Sequence, residues 1–220
     1  MILWKDFSGG HMSVIDKLAT SLGQRGEVPN QELARDLVAK NDLSGVKELA
    51  ENLWNKNTNL ASDCIKTLYE IGYLKPELIA PYVNDFLKII KSKQNRLVWG
   101  GMLALSTIAA LKPKEIFEQV ELVKKVTKEG SVITTDNGIK TLAVVAGSGT
   151  EFNQVIFPFL VEHLQTCRSK EVPQHAESTL AAVNAGNKKI FINTLTARLE
   201  ALTLSQTTRV KKAIRIAEQK

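Results

Sequence analysis

Residues 62–72 have the sequence Ser62-Asp-Cys-Ile-Lys-Thr-Leu-Tyr-Glu-Ile-Gly72, and four later segments align with it without gaps. They are Trp99-Gly-Gly-Met-Leu-Ala-Leu-Ser-Thr-Ile-Ala109, Asp136-Asn-Gly-Ile-Lys-Thr-Leu-Ala-Val-Val-Ala146, Gln174-His-Ala-Glu-Ser-Thr-Leu-Ala-Ala-Val-Asn184 and Thr208-Arg-Val-Lys-Lys-Ala-Ile-Arg-Ile-Ala-Glu218. Successive segments start 37, 37, 38 and 34 residues apart. A period of this length is typical of proteins built from stacked helical hairpins.

The five segments place residues of the same kind at equivalent positions. The third place is small or compact, the sixth is Thr or Ala, and the seventh is aliphatic, as is the tenth in the first four segments. Segment by segment these residues are Cys64, Thr67, Leu68 and Ile71; Gly101, Ala104, Leu105 and Ile108; Gly138, Thr141, Leu142 and Val145; Ala176, Thr179, Leu180 and Val183; and Val210, Ala213 and Ile214. Steps of three and four residues bring them to one face of an α-helix. We therefore predict five amphipathic helices that bury this face.

The stretches between these segments also have helical spacing. Apolar residues recur three or four positions apart, for example at Leu49 and Leu53. The starts of these stretches repeat as well, because Leu74-Lys-Pro76 matches Leu111-Lys-Pro113 at a shift of 37 residues. Proline is well tolerated in the first turn of a helix. The repeating unit is therefore a helical hairpin, which buries its apolar stripe only by stacking on its neighbours.

The small-x-x-[Ala/Thr]-Leu-x-x-[Ile/Val] pattern of the second helices resembles that of HEAT-repeat proteins, and armadillo repeats share much of it. The resemblance covers about residues 42–220. It implies an all-α protein, a right-handed α–α superhelix of about five HEAT-like helical hairpins with N-terminal capping helices. The expected repeats are residues 42–76, 77–113, 114–149, 150–187 and 188–220. Residues 12–41 are expected to supply capping helices at Val14–Leu22 and Asn30–Lys40, because end repeats are usually atypical.

The first eleven residues, MILWKDFSGGH, do not share this pattern. One interpretation is a tag and cloning junction that precedes a natural start at Met12, and the other is a flexible native N-terminus. In both cases the segment contributes nothing to the repeat. We therefore treat residues 12–220 as a single domain.

Composition narrows the possible environments. No apolar run approaches the roughly 20 residues that span a bilayer. Residues 1–7 also lack the apolar stretch of a secretory signal. We expect a cytoplasmic protein without membrane insertion.

No familiar catalytic motif is present, since the sequence lacks GxSxG, a P-loop and HExxH. The two cysteines, Cys64 and Cys167, belong to no CxxC and to no evident Cys/His cluster, so we interpret both as reduced, buried side chains. His163 and His175 are twelve residues apart on different predicted helices and have no evident partner for general-base chemistry. The sequence therefore predicts a protein that is not an enzyme and that has no metal site and no cofactor.

Positive charge is concentrated in two stretches. Residues 86–128 carry nine Lys/Arg against three Asp/Glu, and residues 188–220 carry eight against two, so each stretch has a net charge of +6. Such basic patches can attract nucleic acid or acidic proteins. Solvated lysine-rich helix faces give the same composition, so nucleic-acid binding is one of two interpretations.

The face of each second helix opposite the predicted core carries the candidate binding residues. In HEAT-like solenoids the second helices line the concave side, so the resemblance implies that this row is the inner surface. Its candidate ligand-binding residues are Lys66, Tyr69, Tyr73, Trp99, Asp136, Lys140, Lys212 and Arg215. Aromatic side chains beside cations suit recognition of peptides and stacking of nucleic-acid bases. The favoured function is a scaffold that binds a protein or peptide along this row, while the competing interpretation is that Tyr69 and Trp99 pack between hairpins.

A nucleic-acid function is the alternative. Some bacterial DNA glycosylases are HEAT-like solenoids of similar size and charge, with tryptophans close to an aspartate. Here Trp99 and Asp136 fall on the same row in adjacent repeats, but no Trp-Trp-Asp-like cluster exists. That departure argues against base excision, which needs a clamp for the base beside a carboxylate.

Overall fold

The computed structural model describes residues 13–220, so the segment interpreted as a tag, residues 1–11, lies outside it. Between residues 13 and 220 the chain forms α-helices and short 3-10 turns, with no strand. The α-helices are α1 (Val28–Lys40), α2 (Leu43–Glu51), α3 (Thr58–Leu74), α4 (Val83–Ile89), α5 (Asn95–Ile108), α6 (Pro113–Phe117), α7 (Val120–Glu129), α8 (Val132–Gly147), α9 (Thr150–Thr166), α10 (Val172–Thr179), α11 (Lys188–Arg198) and α12 (Leu204–Glu218). The 3-10 turns are Val14–Lys17, Asn52–Trp54, Pro76–Leu78, Ala80–Tyr82, Leu180–Ala182 and Leu199–Ala201.

The helices form two layers. In one layer α1, α3, α5, α8, α10 and α12 pack side by side in chain order. In the other layer α2, α4, α7, α9 and α11 each pack against the second helix of their own hairpin. Because every hairpin contacts its neighbours, the apolar face that a single hairpin exposes becomes part of one continuous core.

The buried face is the one that the repeat pattern predicts. At the third and sixth places all ten residues are buried, from Cys64 and Thr67 in α3 to Val210 and Ala213 in α12. At the seventh place Leu68, Leu105 and Leu142 are fully buried, whereas Leu180 and Ile214 are only partly buried. The predicted core is therefore confirmed in the first three hairpins. In the last two hairpins the seventh place is less completely buried than predicted.

The N-terminal cap differs from the prediction. A helix over Val14–Leu22 is wrong, since only Val14–Lys17 forms a 3-10 turn and the backbone becomes extended at Leu18. The reason is tertiary, because the amide of Ala19 donates to Asn30 Oδ1 at 3.0 Å and the amide of Thr20 to Asp63 Oδ2 at 2.8 Å. These two amides thus donate to side-chain oxygens, whereas in a helix they would donate to backbone carbonyls of the preceding turn.

Within residues 13–220, no helix combines the length and the apolar character needed to cross a bilayer.

Candidate functional site

A cleft of about 410 Å³ opens on the second-helix layer near the N-terminal end, and we call it the Trp99 cleft. Its walls are the loop before α1, the first half of α3 and the first turn of α5. Its charged and aromatic lining residues are Arg25, Glu27, Asp63, Lys66, Arg96 and Trp99. Of the residues predicted from the sequence to bind a ligand, the cleft brings together Lys66 and Trp99.

Lys66 lies in the floor of this cleft and is only 8% exposed. Its ammonium group is 2.7 Å from a carboxylate oxygen of Glu27 and 2.7 Å from one of Glu70. Burial opposes the charged form, but hydrogen bonds to Glu27, Glu70 and Tyr69 outweigh it and raise the pKa of Lys66 above its usual value. The Lys66 ammonium group is therefore already paired within the protein. Its predicted exposure on the face opposite the core is wrong, and its role in binding a ligand stays a prediction.

Three aromatic residues pack beside Lys66, with the buried Tyr69 between Trp99 and Tyr73. The ring of Tyr69 lies 6.0 Å from that of Trp99 and 6.1 Å from that of Tyr73, with edge or tilted contacts. Tyr69 is only 5% exposed, so its prediction as a surface residue is also wrong, whereas Tyr73 is 52% exposed and Trp99 is partly exposed. Tyr69 thus supports Trp99 from behind and fixes the orientation of its ring.

In the Trp99 cleft the acidic side chains have partners within the protein, whereas two of the basic side chains have none within the described chain. Glu27 pairs with Lys66, and Asp63 accepts hydrogen bonds from the amide of Thr20 and from Asn30 Nδ2 at 2.8 and 2.9 Å. Arg25 and Arg96 are exposed and form no ion pair with any residue between 13 and 220. The cleft therefore offers two uncommitted guanidinium groups beside a partly exposed tryptophan.

The rest of the predicted row does not form one exposed strip. Lys140, Lys212 and Arg215 are exposed on α8 and α12. Between them and the Trp99 cleft, equivalent places are filled by buried side chains such as Leu103 and Ala143. Asp136 does not line the Trp99 cleft, and its carboxylate is hydrogen-bonded to His175.

Asp136 and His175 belong to a second candidate site, which lies at the junction of α8, α9 and α10. Asp136 Oδ1 is 2.8 Å from His175 Nε2, and His175 Nδ1 is 2.8 Å from His163 Nε2. A carboxylate only accepts hydrogen bonds, so His175 carries its proton on Nε2 and presents the lone pair of Nδ1 to His163. His175 is completely buried, while Asp136 and His163 are partly exposed. We call Asp136, His163, Cys167 and His175 the histidine cluster.

Cys167 joins this cluster as the residue that caps the C-terminus of α9. Its sulfur and the nearest ring nitrogens of the two histidines all lie within 4.8 Å of one another. Arg198 holds the segment in place by donating to the carbonyl oxygens of Leu164 and Cys167, each at 2.7 Å. Burial raises the pKa of the Cys167 thiol. Burial, followed by the neighbouring His175, lowers the pKa of His163 to about 4, so its imidazole is neutral at pH 7.

The sequence prediction for the cysteines is half correct. Cys64 is fully buried, and burial raises the pKa of its thiol to about 12, as fits an inert core residue. Cys167 is only partly buried and does belong to a Cys/His cluster, so the prediction is wrong there. The overlooked signal is the spacing His163-x3-Cys167-x7-His175, in which four residues place a histidine and a thiol on one side of a helix end.

No protein-family model matches the chain, and no curated protein does either. Solved structures do resemble it. An engineered protein solved by the Northeast Structural Genomics Consortium shares 19% identity over 94% of this chain and 98% of its own, with a TM-score of 0.68. A designed armadillo repeat protein in complex with the peptide (KR)4 shares 15% identity over 86% of this chain and 85% of its own, with a TM-score of 0.66.

A third structure, of computationally designed armadillo repeat proteins for modular peptide recognition, shares 13% identity over 84% of this chain and 86% of its own, with a TM-score of 0.63. Together with the two helical layers, these likenesses show that the chain has a HEAT/armadillo-like repeat fold, an all-α superhelix. The fold predicted from the 37-residue period is therefore confirmed.

Proposed function

We propose that this protein is a non-catalytic binding scaffold that recognises an acidic, extended peptide segment of a protein partner, with the Trp99 cleft as its main contact. The observation that carries the proposal is the composition of the cleft, where Arg25 and Arg96 have no ion-pair partner among residues 13–220 and Trp99 is partly exposed. The acidic residues in its walls already have partners within the protein, so the charged groups left to contact a ligand are the two guanidinium groups.

The likeness to designed armadillo proteins supports a peptide as the partner, because one of those proteins is in complex with (KR)4 and another was designed for modular peptide recognition. Arg25 and Arg96 of the Trp99 cleft, unpaired within the described residues, favour a ligand of opposite sign from (KR)4. Arg side chains pair well with carboxylates, often through two parallel hydrogen bonds. A tryptophan held by an aromatic neighbour adds apolar contact at low entropic cost.

The remaining predicted residues extend this proposal. Lys140, Lys212 and Arg215 are exposed on later second helices and would meet an acidic partner that runs along the layer. Several weak contacts along a repeat array add up, because each one holds the next part of the partner close. Tyr73 would contribute an apolar contact at the edge of the cleft.

Nucleic acid is the second candidate, and the lysine-rich stretch 86–128 favours it. Lys88, Lys91, Lys93 and Lys125 are exposed and unpaired within the described chain. The basic stretch 188–220 has fewer basic side chains free to contact phosphate groups, since Arg198 binds backbone carbonyls and Arg209 pairs with Glu177. Base-excision chemistry has no support, because Asp136 is bound to His175 and is absent from the lining of the cleft that contains Trp99.

The test compares two fluorescein-labelled peptides of equal length, (Glu-Leu)4 and (Lys-Arg)4, by fluorescence anisotropy. We expect (Glu-Leu)4 to bind more tightly, and Arg96→Ala and Trp99→Ala each to weaken it by about 10-fold or more, which is the size of a hot-spot contact. Trp54→Ala is the matched control, because Trp54 is 53% exposed but lies outside the cleft.

The same variants separate a peptide ligand from nucleic acid. A 20-nucleotide single strand is titrated at about 50 and 200 mM salt, where phosphate binding weakens steeply. Tight binding of DNA that survives Trp99→Ala and collapses in the triple variant Lys88→Ala, Lys91→Ala, Lys93→Ala would overturn the peptide proposal. So would equal or tighter binding of (Lys-Arg)4, or an equal loss in Trp54→Ala.

A further inference from the structure

The histidine cluster has the donor atoms of a metal site. Three side chains bring one imidazole nitrogen each from His163 and His175 and one sulfur from Cys167 to within 4.8 Å of one another. His163 and Cys167 are four residues apart at the end of α9, and His175 reaches the same point from the second turn of α10. Imidazole and thiolate are the ligands that zinc and the softer divalent transition metals prefer.

We propose that His163, Cys167 and His175 bind one zinc-class divalent metal ion, through His163 Nε2, Cys167 Sγ and His175 Nδ1. Three protein ligands leave a fourth, open tetrahedral position for water or a small ligand. The site is separate from the Trp99 cleft, so the proposal does not depend on the proposed function.

Asp136 is the feature that distinguishes this cluster from a chance meeting of polar side chains. Histidines that bind metals commonly donate their second ring N–H to a carboxylate, which fixes the tautomer and the ring orientation. Asp136 Oδ1 accepts that hydrogen bond from His175 Nε2 at 2.8 Å, and this leaves the Nδ1 lone pair facing His163 and the thiol. His175 is fully buried and cannot turn away from this arrangement without losing its partner.

The movement that metal binding requires of the two imidazole rings is small. The two imidazole nitrogens are 2.8 Å apart. Two zinc–nitrogen bonds at the tetrahedral angle need them about 3.3 Å apart, so the rings have to separate by about 0.5 Å. His163 is partly exposed and can supply this shift. Its proton then moves to Nδ1, and the Cys167 thiol releases its proton to solvent, so one proton leaves for each metal bound.

The backbone that carries the thiol is held beside the two imidazole rings. Cys167 follows the last residue of α9, and Arg198 fixes its carbonyl group and that of Leu164. This arrangement ties α9 and α11 together at the cluster and leaves the sulfur partly exposed. An exposed edge gives a metal ion an entry path, which a buried thiol such as Cys64 lacks.

The test is titration of the chelator-treated protein with Co²⁺, followed by displacement with Zn²⁺. We expect one equivalent of Co²⁺, a near-ultraviolet charge-transfer band from cobalt–thiolate ligation and visible bands of a tetrahedral ion. We also expect Zn²⁺ to bind with a Kd below about 1 μM. At about 100 times Kd, free Zn²⁺ should raise the Tm by about 5–10 °C.

Two partly exposed ligands provide variants that keep the core intact. Cys167→Ser should abolish the charge-transfer band, and His163→Gln should weaken Co²⁺ binding by at least about 100-fold. Asp136→Asn tests the outer partner, and it should keep the band while weakening binding about 10- to 100-fold.

Cys64→Ser and His11→Ala are the matched controls, since they remove the other cysteine and the third histidine of the chain. Both should bind like the unaltered protein. Absence of a charge-transfer band, an unchanged titration in Cys167→Ser, or loss of binding in His11→Ala would each overturn the site.

Discussion

His175 Nε2 donates a hydrogen bond of 2.8 Å to Asp136 Oδ1 and so connects α10 to α8 across 39 residues of sequence. The histidine is completely buried between these helices, and the carboxylate is its link to the protein surface. A buried N–H group without an acceptor is costly, typically by about 1–3 kcal/mol. The pair therefore stabilises the contact between two adjacent hairpins, whether or not a metal ion is bound.

The first prediction removes that acceptor. Asp136→Ala should lower the free energy of unfolding of the metal-free protein by about 1–3 kcal/mol, because it leaves the His175 N–H unpaired. Asp136→Asn should cost less, since its side-chain oxygen still accepts the hydrogen bond. Lys140→Ala, at an exposed position one turn further along α8, is the control and should stay within about 0.5 kcal/mol. Urea melts with a chelator present measure all three, and equal effects in Asp136→Ala and Lys140→Ala would contradict the prediction.

The second prediction concerns the repeated core leucine. Leu105 and Leu142 occupy the seventh place of successive second helices, and both are fully buried. Replacing either by Ala should destabilise the protein by about 2–4 kcal/mol, because each change leaves a cavity between stacked hairpins. Lys88→Ala, at an exposed position in α4, should change stability by less than about 0.5 kcal/mol. The same denaturant melts apply, and a small effect at either leucine would show that the hairpins repack around the gap.

The fold could be predicted from sequence because its main determinant is local and repeated. Buried positions such as Thr67 and Thr141 recur three or four residues from other buried positions on the same helix. Helical periodicity is enough to find such a face. The N-terminal cap departs from the prediction for the opposite reason, because the amides of Ala19 and Thr20 donate to side chains 11 and 43 residues away.

The candidate sites depend on relations between helices that a single-helix pattern does not contain. Helical periodicity predicts Lys66 and Tyr69 on the exposed face opposite the core. Glu27, from the loop before α1, covers Lys66, and Trp99, from the next hairpin, covers Tyr69. The histidine cluster combines α8, α9 and α10, so no single helix contains its pattern. Only the short spacing from His163 to Cys167 could have been noticed in the sequence.

The third prediction tests the clamp at the end of α9. Arg198 binds the carbonyl groups of Leu164 and Cys167, which are among the carbonyls left without helical partners there. Arg198→Ala should cost about 1–3 kcal/mol, the range for hydrogen bonds to a charged group. Lys189→Ala, an exposed basic residue on the same helix, controls for charge and should be near neutral. Thermal melts at matched ionic strength compare them, and equal losses would indicate a general charge effect in place of the clamp.

The last prediction concerns a close approach between α3 and α5 at Gly72. A Cβ added at Gly72 would lie 2.3 Å from Thr107 Oγ1 and 3.0 Å from Thr107 Cβ, while its other near neighbour is the flexible end of Ile79 at 2.8 Å. In a helix, Ala is favoured over Gly by about 1 kcal/mol. A forced contact inside a packed layer costs about 1–3 kcal/mol. We therefore expect Gly72→Ala to be destabilising in spite of its better helix propensity.

The hydroxyl of Thr107 is the atom that decides the sign of this effect. In a Thr107→Ala background the 2.3 Å contact disappears. The end of Ile79 at 2.8 Å can turn aside, and the Cβ of residue 107 at 3.0 Å requires only a small shift between the two helices. Gly72→Ala should then become neutral or stabilising, with a coupling energy of about 1–2 kcal/mol between the two sites. A double-mutant cycle in urea measures this coupling, and Thr107→Ala alone corrects for the lost hydrogen bond to the carbonyl of Ala104. If Gly72→Ala costs the same in both backgrounds, the approach of α3 to α5 is set by the backbone and not by this side chain.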